Sequence, residues 1–81
     1  MNESDAGAEM DMHFVESSMI QAFGYDKDSQ TLVVIFNSGK TYQYFEVPAE
    51  VYEDLLEADS KGSYMRSFVI DYYPYRLMKR R

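Results

Sequence analysis

The stretch from Thr31 to Pro48 constrains the fold of this chain more than any other part of it. Two β-rich runs, Leu32 to Phe36 and Thr41 to Glu46, flank Asn37-Ser38-Gly39-Lys40, and Val47-Pro48 then opens into helix-like sequence. Leu32 to Phe36 is apolar throughout and rich in β-branched residues, the composition of a central strand covered on both faces. Gly39 supplies a turn position that tolerates positive φ. In the second run Tyr42 and Tyr44 alternate with Thr41, Gln43 and Phe45, the period of a strand. Upstream, over Phe14 to Tyr25, Ile20, Ala22 and Gly24 alternate with Met19, Gln21, Phe23 and Tyr25, and Asp26 to Gln30 is a polar loop of hairpin length. These runs predict a three-stranded antiparallel β-meander.

Helical spacing follows it. Pro48 suits a first helical turn, where its missing N–H costs nothing. Glu50, Glu53 and Asp54 put negative charge near that helix's positive end. Val51, Leu55 and Ala58, with Tyr52 and Leu56 beside them, form a stripe wide enough to cover a sheet. Gly62 is expected to close the helix as a left-handed cap. A second helix is expected from about Tyr64 to Asp71, N-capped by Ser63 and stopped by Pro74, with Tyr64, Phe68 and Tyr72 as its stripe and Met65 and Val69 adjacent. The predicted fold class is α+β, a three-stranded antiparallel meander packed against a C-terminal helix pair.

Size and charge narrow the function. The 81 residues hold one domain. Residues 1–13 are expected to form a disordered acidic tail, residues 14–75 the domain, and residues 76–81 a basic C-terminal tail. Without cysteine, neither disulfides nor thiolate metal sites help a small core. Large rings (aromatic residues are 16% of the chain) and self-association are the remaining supports, so a homo-oligomer is expected. The net charge of −6 combines an acidic body with the basic end Arg76, Lys79, Arg80 and Arg81. An acidic body repels polyanions at long range, which disfavours generic nucleic-acid coating. No run is apolar enough for a membrane span or a signal peptide, which fits a cytoplasmic protein.

The ordered pieces Val15, Ser17-Ser18, Ile20, Gly24-Tyr25-Asp26, Leu32, Phe36, Gly39, Tyr42-Gln43-Tyr44, Val47-Pro48, Tyr52, Leu55, Ala58, Ser60-Lys61-Gly62, Tyr64 and Tyr73-Pro74 resemble the KTSC domain. This small family is named for an extension at the C-terminus of some lysyl-tRNA synthetases, and it also occurs as stand-alone bacterial and phage proteins. The resemblance spans Val15 to Pro74. What it implies is RNA binding, which has been suggested for the family; no catalytic role is established for it. Two departures stand out: Met65-Arg66 replaces Phe-Asn, and Val69-Ile70 replaces Ile-Arg. The missing Arg counts against nucleic acid specifically.

Few residues carry chemistry on their own. Ser17 and Ser18 lack His-Asp partners, His13 is the sole histidine, and no acid–base pair emerges, so no enzyme is expected. Asp26 and Asp28 begin like a calcium loop, but Thr31 and Asn37 occupy the positions that need Gly and Glu, so no metal is expected. No cofactor is expected either. Tyr42 and Tyr44 project to one strand face, either as a stacking platform for bases or as core rings beneath the helix. Lys61 in Ser60-Lys61-Gly62-Ser63 either receives a phosphate at a helix N-terminus or belongs to plain capping. Tyr72, Tyr73, Tyr75 and Arg76 interleave rings and cations at the C-terminus. The expected ligand-binding set is Tyr42, Tyr44, Lys61, Tyr64, Arg66, Tyr73 and Arg76. Two functions follow: a non-enzymatic module holding single-stranded RNA, tRNA or a nucleotide, or a protein-interaction module, phage-encoded in one version, that oligomerises or docks on a host protein.

Overall fold

The computed structural model describes residues 11–78. Its strands are β1 (Met12–Phe14), β2 (Ile20–Asp26), β3 (Thr31–Phe36), β4 (Thr41–Tyr44) and β5 (Tyr75–Met78); the helices α1 (Ala49–Glu57) and α2 (Lys61–Phe68) lie between β4 and β5. The strands form one sheet in the order β1-β2-β3-β4-β5, each pair antiparallel. The α+β class and the central meander are as expected, but the sheet has five strands instead of three.

The two additional strands are the edges. Met12 and His13, expected in the acidic tail, pair in β1 with Gly24 and Phe23. Arg76, expected to begin the basic tail, sits inside β5 opposite Gln43. Residues 1–10 and 79–81, the remainder of both expected tails, lie outside the described residues.

Turn chemistry sets the meander's registers. Asp26 Oδ1 accepts from the Asp28 N–H at 3.0 Å, so the pair imagined as calcium ligands instead tightens the β2–β3 turn. Gly39 takes φ 97° in the β3–β4 turn, the left-handed backbone its sequence position foretold. The Gly39 N–H donates to the Phe36 carbonyl at 2.8 Å, and the Phe36 N–H donates to the Lys40 carbonyl at 2.8 Å.

A register shift between Ile20 and Ala22 changes which side chains face inward. Ile20 and Phe23 enter the core with Leu32, Val34, Tyr44, Val47, Leu55, Met65 and Val69, whereas Ala22 and Gly24 stand beside Ile35 and Val33 on the other face. The alternating set Ile20, Ala22 and Gly24 is therefore split by the bulge. Both helices pack on the core side. Val33 and Ile35 stay half-buried on the outer face, so β3 is central but not covered twice as expected.

The α1–α2 junction also departs from expectation. Ser60, not Ser63, caps α2; its hydroxyl accepts the Ser63 N–H at 3.3 Å. Gly62 is no left-handed cap but a buried residue in the first turn of α2. A Cβ there would stand 3.1 Å from Met19 Sδ and 3.2 Å from Met19 Cβ, so the helix approaches the β1–β2 connection because Gly62 has no side chain. This contact selects the inward stripe of α2. Met65 and Val69, expected beside the stripe, are fully buried, whereas Phe68 is 56% and Tyr72 65% exposed; of the expected Tyr64-Phe68-Tyr72 stripe, Tyr64 alone packs against the core. Gly62→Val should lower the melting temperature by roughly 5–15 °C, since overpacking outweighs the gain in helix propensity. An unchanged melting curve would show that Met19 yields freely.

A ring cluster ties β1 to α1. Tyr52 stacks on Tyr25 at 4.8 Å and meets Phe23 edge-on at 6.0 Å. Its hydroxyl lies 2.7 Å from His13 Nε2 in a hydrogen bond. The Tyr25 hydroxyl donates to the Val47 carbonyl, joining β2 to the segment before α1.

Candidate functional site

Register brings three tyrosines to one patch. Tyr42 and Tyr44 alternate to the helix side of β4, and Tyr75 lies opposite Tyr44 on β5. The Tyr42 and Tyr44 rings stack with centroids 6.2 Å apart; Tyr75 lies 5.6 Å from Tyr42 and 6.1 Å from Tyr44. Phe36 meets Tyr42 edge-on at 5.6 Å. The group floors a cleft of about 500 Å³. Met19 and Ile70 add apolar surface, Ser18, Asn37, Ser38 and Lys40 supply polar groups from two loops, and Asp71 contributes a carboxylate. That volume falls in the usual range for small-molecule sites, as does the mixture of apolar floor and few polar groups.

The three rings differ in accessibility. Tyr44 is 3% exposed and belongs to the core, Tyr42 is half-buried, and Tyr75 is 59% exposed. The two sequence alternatives for Tyr42 and Tyr44 thus merge. Tyr44 is a core ring that also lines the cleft, while Tyr42 and Tyr75 carry the faces open to a ligand. Neither packs against Tyr52, whose ring is engaged by Tyr25.

Burial first, then the neighbouring Tyr42, Tyr75 and Asp71, push the Tyr44 hydroxyl up to about 12. In the unfolded chain it ionises near 10. Between these values the unfolded chain has lost a proton that the native chain keeps, so stability is full below about pH 10 and falls as pH rises towards 12. Solvent screening of the hydroxyl discounts the full shift, leaving a loss on the order of 1–2 kcal/mol. Tyr44→Phe should flatten this alkaline decline in urea denaturation between pH 9 and 12; a slope identical to the parent's would contradict it.

The other expected ligand residues lie elsewhere. Lys61 Nζ donates to the carbonyls of Leu56 at 2.9 Å and Ala58 at 2.7 Å, satisfying orphan acceptors at the end of α1. Tyr64 packs against Phe68 at 4.8 Å and donates to Asp54 Oδ2 at 3.5 Å; burial and Asp54 raise its hydroxyl pKa. Arg66 Nη1 lies 3.3 Å from Met19 Sδ. Tyr73 is half-buried against the core, and Arg76 borders a separate hollow at the β5 edge with Gln43, Leu77 and Met78. Of the expected set, Tyr42 and Tyr44 reach the cleft. Lining residues outside the expected ligand set include Phe36, Lys40, Ile70, Asp71 and Tyr75, the last noted in the sequence only within the C-terminal run of rings and cations. The four residues of β5 give too short an alternation to signal the strand that delivers Tyr75.

Among the described residues no three His, Asp or Glu side chains are grouped so as to hold a metal ion. No helix there is long and apolar enough to cross a membrane.

Residues 16–73 match the family model of the KTSC domain. The chain belongs to the KTSC domain family. A solved KTSC domain protein from Yersinia pestis superposes with a TM-score of 0.84 at 31% identity, over 86% of this chain and 99% of that one. A protein of Tsukamurella paurometabola is 50% identical over 58 residues, covering 72% of this chain and 87% of the relative. Part of a protein named lysine–tRNA ligase in Nostoc punctiforme is 46% identical over 54 residues, covering 67% of this chain but 10% of that protein. A second such ligase, from a Nostoc species, is 43% identical over 60 residues and 11% covered. The KTSC unit thus recurs as nearly a whole protein and as a small part of a much longer one.

Proposed function

We propose that this KTSC domain is a non-enzymatic binding module whose tyrosine cleft holds a base of single-stranded RNA, tRNA or a free nucleotide. The reading rests on one arrangement: accessible faces of Tyr42 and Tyr75 over a cleft of about 500 Å³ with Lys40 at its edge. Aromatic faces stack on any base, and stacking is worth about 1–3 kcal/mol per base. Lys40 supplies a local cation for a phosphate in a protein whose body is otherwise acidic. The relatives named lysine–tRNA ligase make tRNA a reasonable member of the ligand panel. A cytoplasmic setting belongs to the same reading.

Titration of the full chain with labelled single-stranded RNA, tRNA and mononucleotides at low salt tests it. Saturable binding that weakens as salt rises is expected. No saturable signal below about millimolar concentration, equivalent to about 4 kcal/mol of binding free energy, excludes the nucleic-acid reading.

A second reading, protein interaction or self-association, draws on a different observation. Among the described residues β5 is an edge strand, exposed along its length and carrying Tyr75, Leu77 and Met78, a pattern that invites strand addition. Light scattering distinguishes the two: a strict monomer that binds nucleotide favours the cleft, and a concentration-dependent dimer favours the edge.

A further inference from the structure

The lining of the cleft carries two opposite charges, Lys40 and Asp71. Lys40 immediately precedes β4, next to Thr41. Asp71 belongs to the turn before β5, whose first residue pairs with Tyr44 at the far end of β4. The charge of Asp71 reaches Tyr44, where it adds to the forces holding that hydroxyl protonated. A phosphorylated ligand therefore has one favourable direction, with phosphate towards Lys40 and base towards Asp71.

Asp71 is exposed and lines the cleft. Its backbone stands at φ 76°, a left-handed conformation that aspartate adopts more readily than most residues but still at a cost. The turn is anchored to α2: the N–H groups of Val69 and Ile70 both donate to the Met65 carbonyl, at 2.9 and 2.7 Å, and the Tyr72 N–H donates to the Val69 carbonyl at 3.0 Å. Backbone hydrogen bonds on either side of Asp71 thus fix the turn that brings this residue to the cleft lining.

An ionised carboxylate only accepts hydrogen bonds, and its two oxygens suit two neighbouring donors. Guanine presents such a pair, N1–H and N2–H, along its Watson–Crick edge. Adenine and cytosine each place an acceptor nitrogen next to one amino group, and uracil sets a single N–H between two carbonyls. Each of these would turn an acceptor towards the carboxylate.

We propose that Asp71 makes the tyrosine cleft selective for guanine, with the base stacked on Tyr42 and Tyr75 and its N1–H and N2–H donated to the Asp71 carboxylate. The inference rests on the nucleotide reading of the cleft and adds base identity to it.

Equilibrium titration of the full chain with GMP, 2′-deoxy-GMP, IMP and AMP, repeated with Asp71→Asn, tests it. Asparagine also tolerates a left-handed backbone, so the variant should fold, and circular dichroism verifies this. Asp71→Gly is a second variant that relieves the backbone cost while removing the carboxylate. GMP and 2′-deoxy-GMP should bind roughly tenfold or more tighter than AMP, the scale of a good bidentate base contact, with IMP weaker than GMP for want of the N2 amino group. Both variants should bring GMP down to the AMP level and leave AMP unchanged or tighter. Equal binding of GMP and AMP by the parent overturns the guanine assignment and leaves the nucleotide reading standing. A preference that survives in both variants, or one that requires the 2′-hydroxyl, overturns it as well. Failure of every nucleotide to bind overturns both readings together.

Discussion

Tyr75→Ala is expected to weaken nucleotide or single-stranded RNA binding by about 10- to 100-fold, the equivalent of losing one stacked base, while the fold persists. The separation of effects follows from geometry. Tyr75 is 59% exposed on an edge strand, so little buried area is lost with its ring. Yet it stands 5.6 Å from Tyr42 and 6.1 Å from Tyr44 and forms the accessible part of the cleft floor. Tyr75→Phe keeps a stacking face and should bind within a few-fold of the parent. Binding by fluorescence anisotropy, paired with a urea melt for each variant, checks both parts. Undiminished binding by the alanine variant would remove Tyr75 from the site.

Phe23→Ala should cost about 3–5 kcal/mol, a large share of the total for a domain of this size. Phe23 is fully buried. Its ring touches both His13 at 5.8 Å and Tyr52 at 6.0 Å, so it joins β2 to the β1 edge and to α1 at once. Truncation leaves a cavity in a small core that has no disulfide with which to hold its elements together. Urea denaturation should show the midpoint falling by half or more, with cooperativity reduced as β1 loosens. A loss below about 1 kcal/mol would mean that the core collapses around the gap.

The parts of this fold legible in the sequence are those whose signals are local. Leu32 to Phe36 announces a central strand through β-branching, Gly39 announces its turn, and Pro48 announces α1, all from a few adjacent residues. The edges are different. β1 and β5 span Met12–Phe14 and Tyr75–Met78, too short for alternation to rise above chance, and β5 pairs with a strand some thirty residues earlier. Their strand character depends on the neighbour they meet.

The same reason explains what was missed in the cleft. Tyr42 and Tyr44 declare themselves by spacing, but Tyr75 joins them through long-range pairing, and Asp71 and Ile70 arrive through the turn that follows α2. In α2, two stripes with helical spacing compete: Tyr64-Phe68-Tyr72 and Met65-Val69. Nothing local ranks them. The close contact of Gly62 with Met19 decides, and that contact joins segments more than forty residues apart. Lys61 shows the converse, a residue whose sequence surroundings suggest anion binding but whose ammonium is taken up by the carbonyls of Leu56 and Ala58.

The most direct measurement is a nuclear magnetic resonance titration of the full, isotopically labelled chain with GMP at low salt, following backbone amides and aromatic ring protons together. Saturable shifts concentrated on Ser38, Lys40, Tyr42, Asp71 and Tyr75, with upfield movement of the ligand's base protons, are what a stacking cleft requires. Shifts confined to β1, to the outer face around Val33 and Ile35, or to no residue at all would contradict the account.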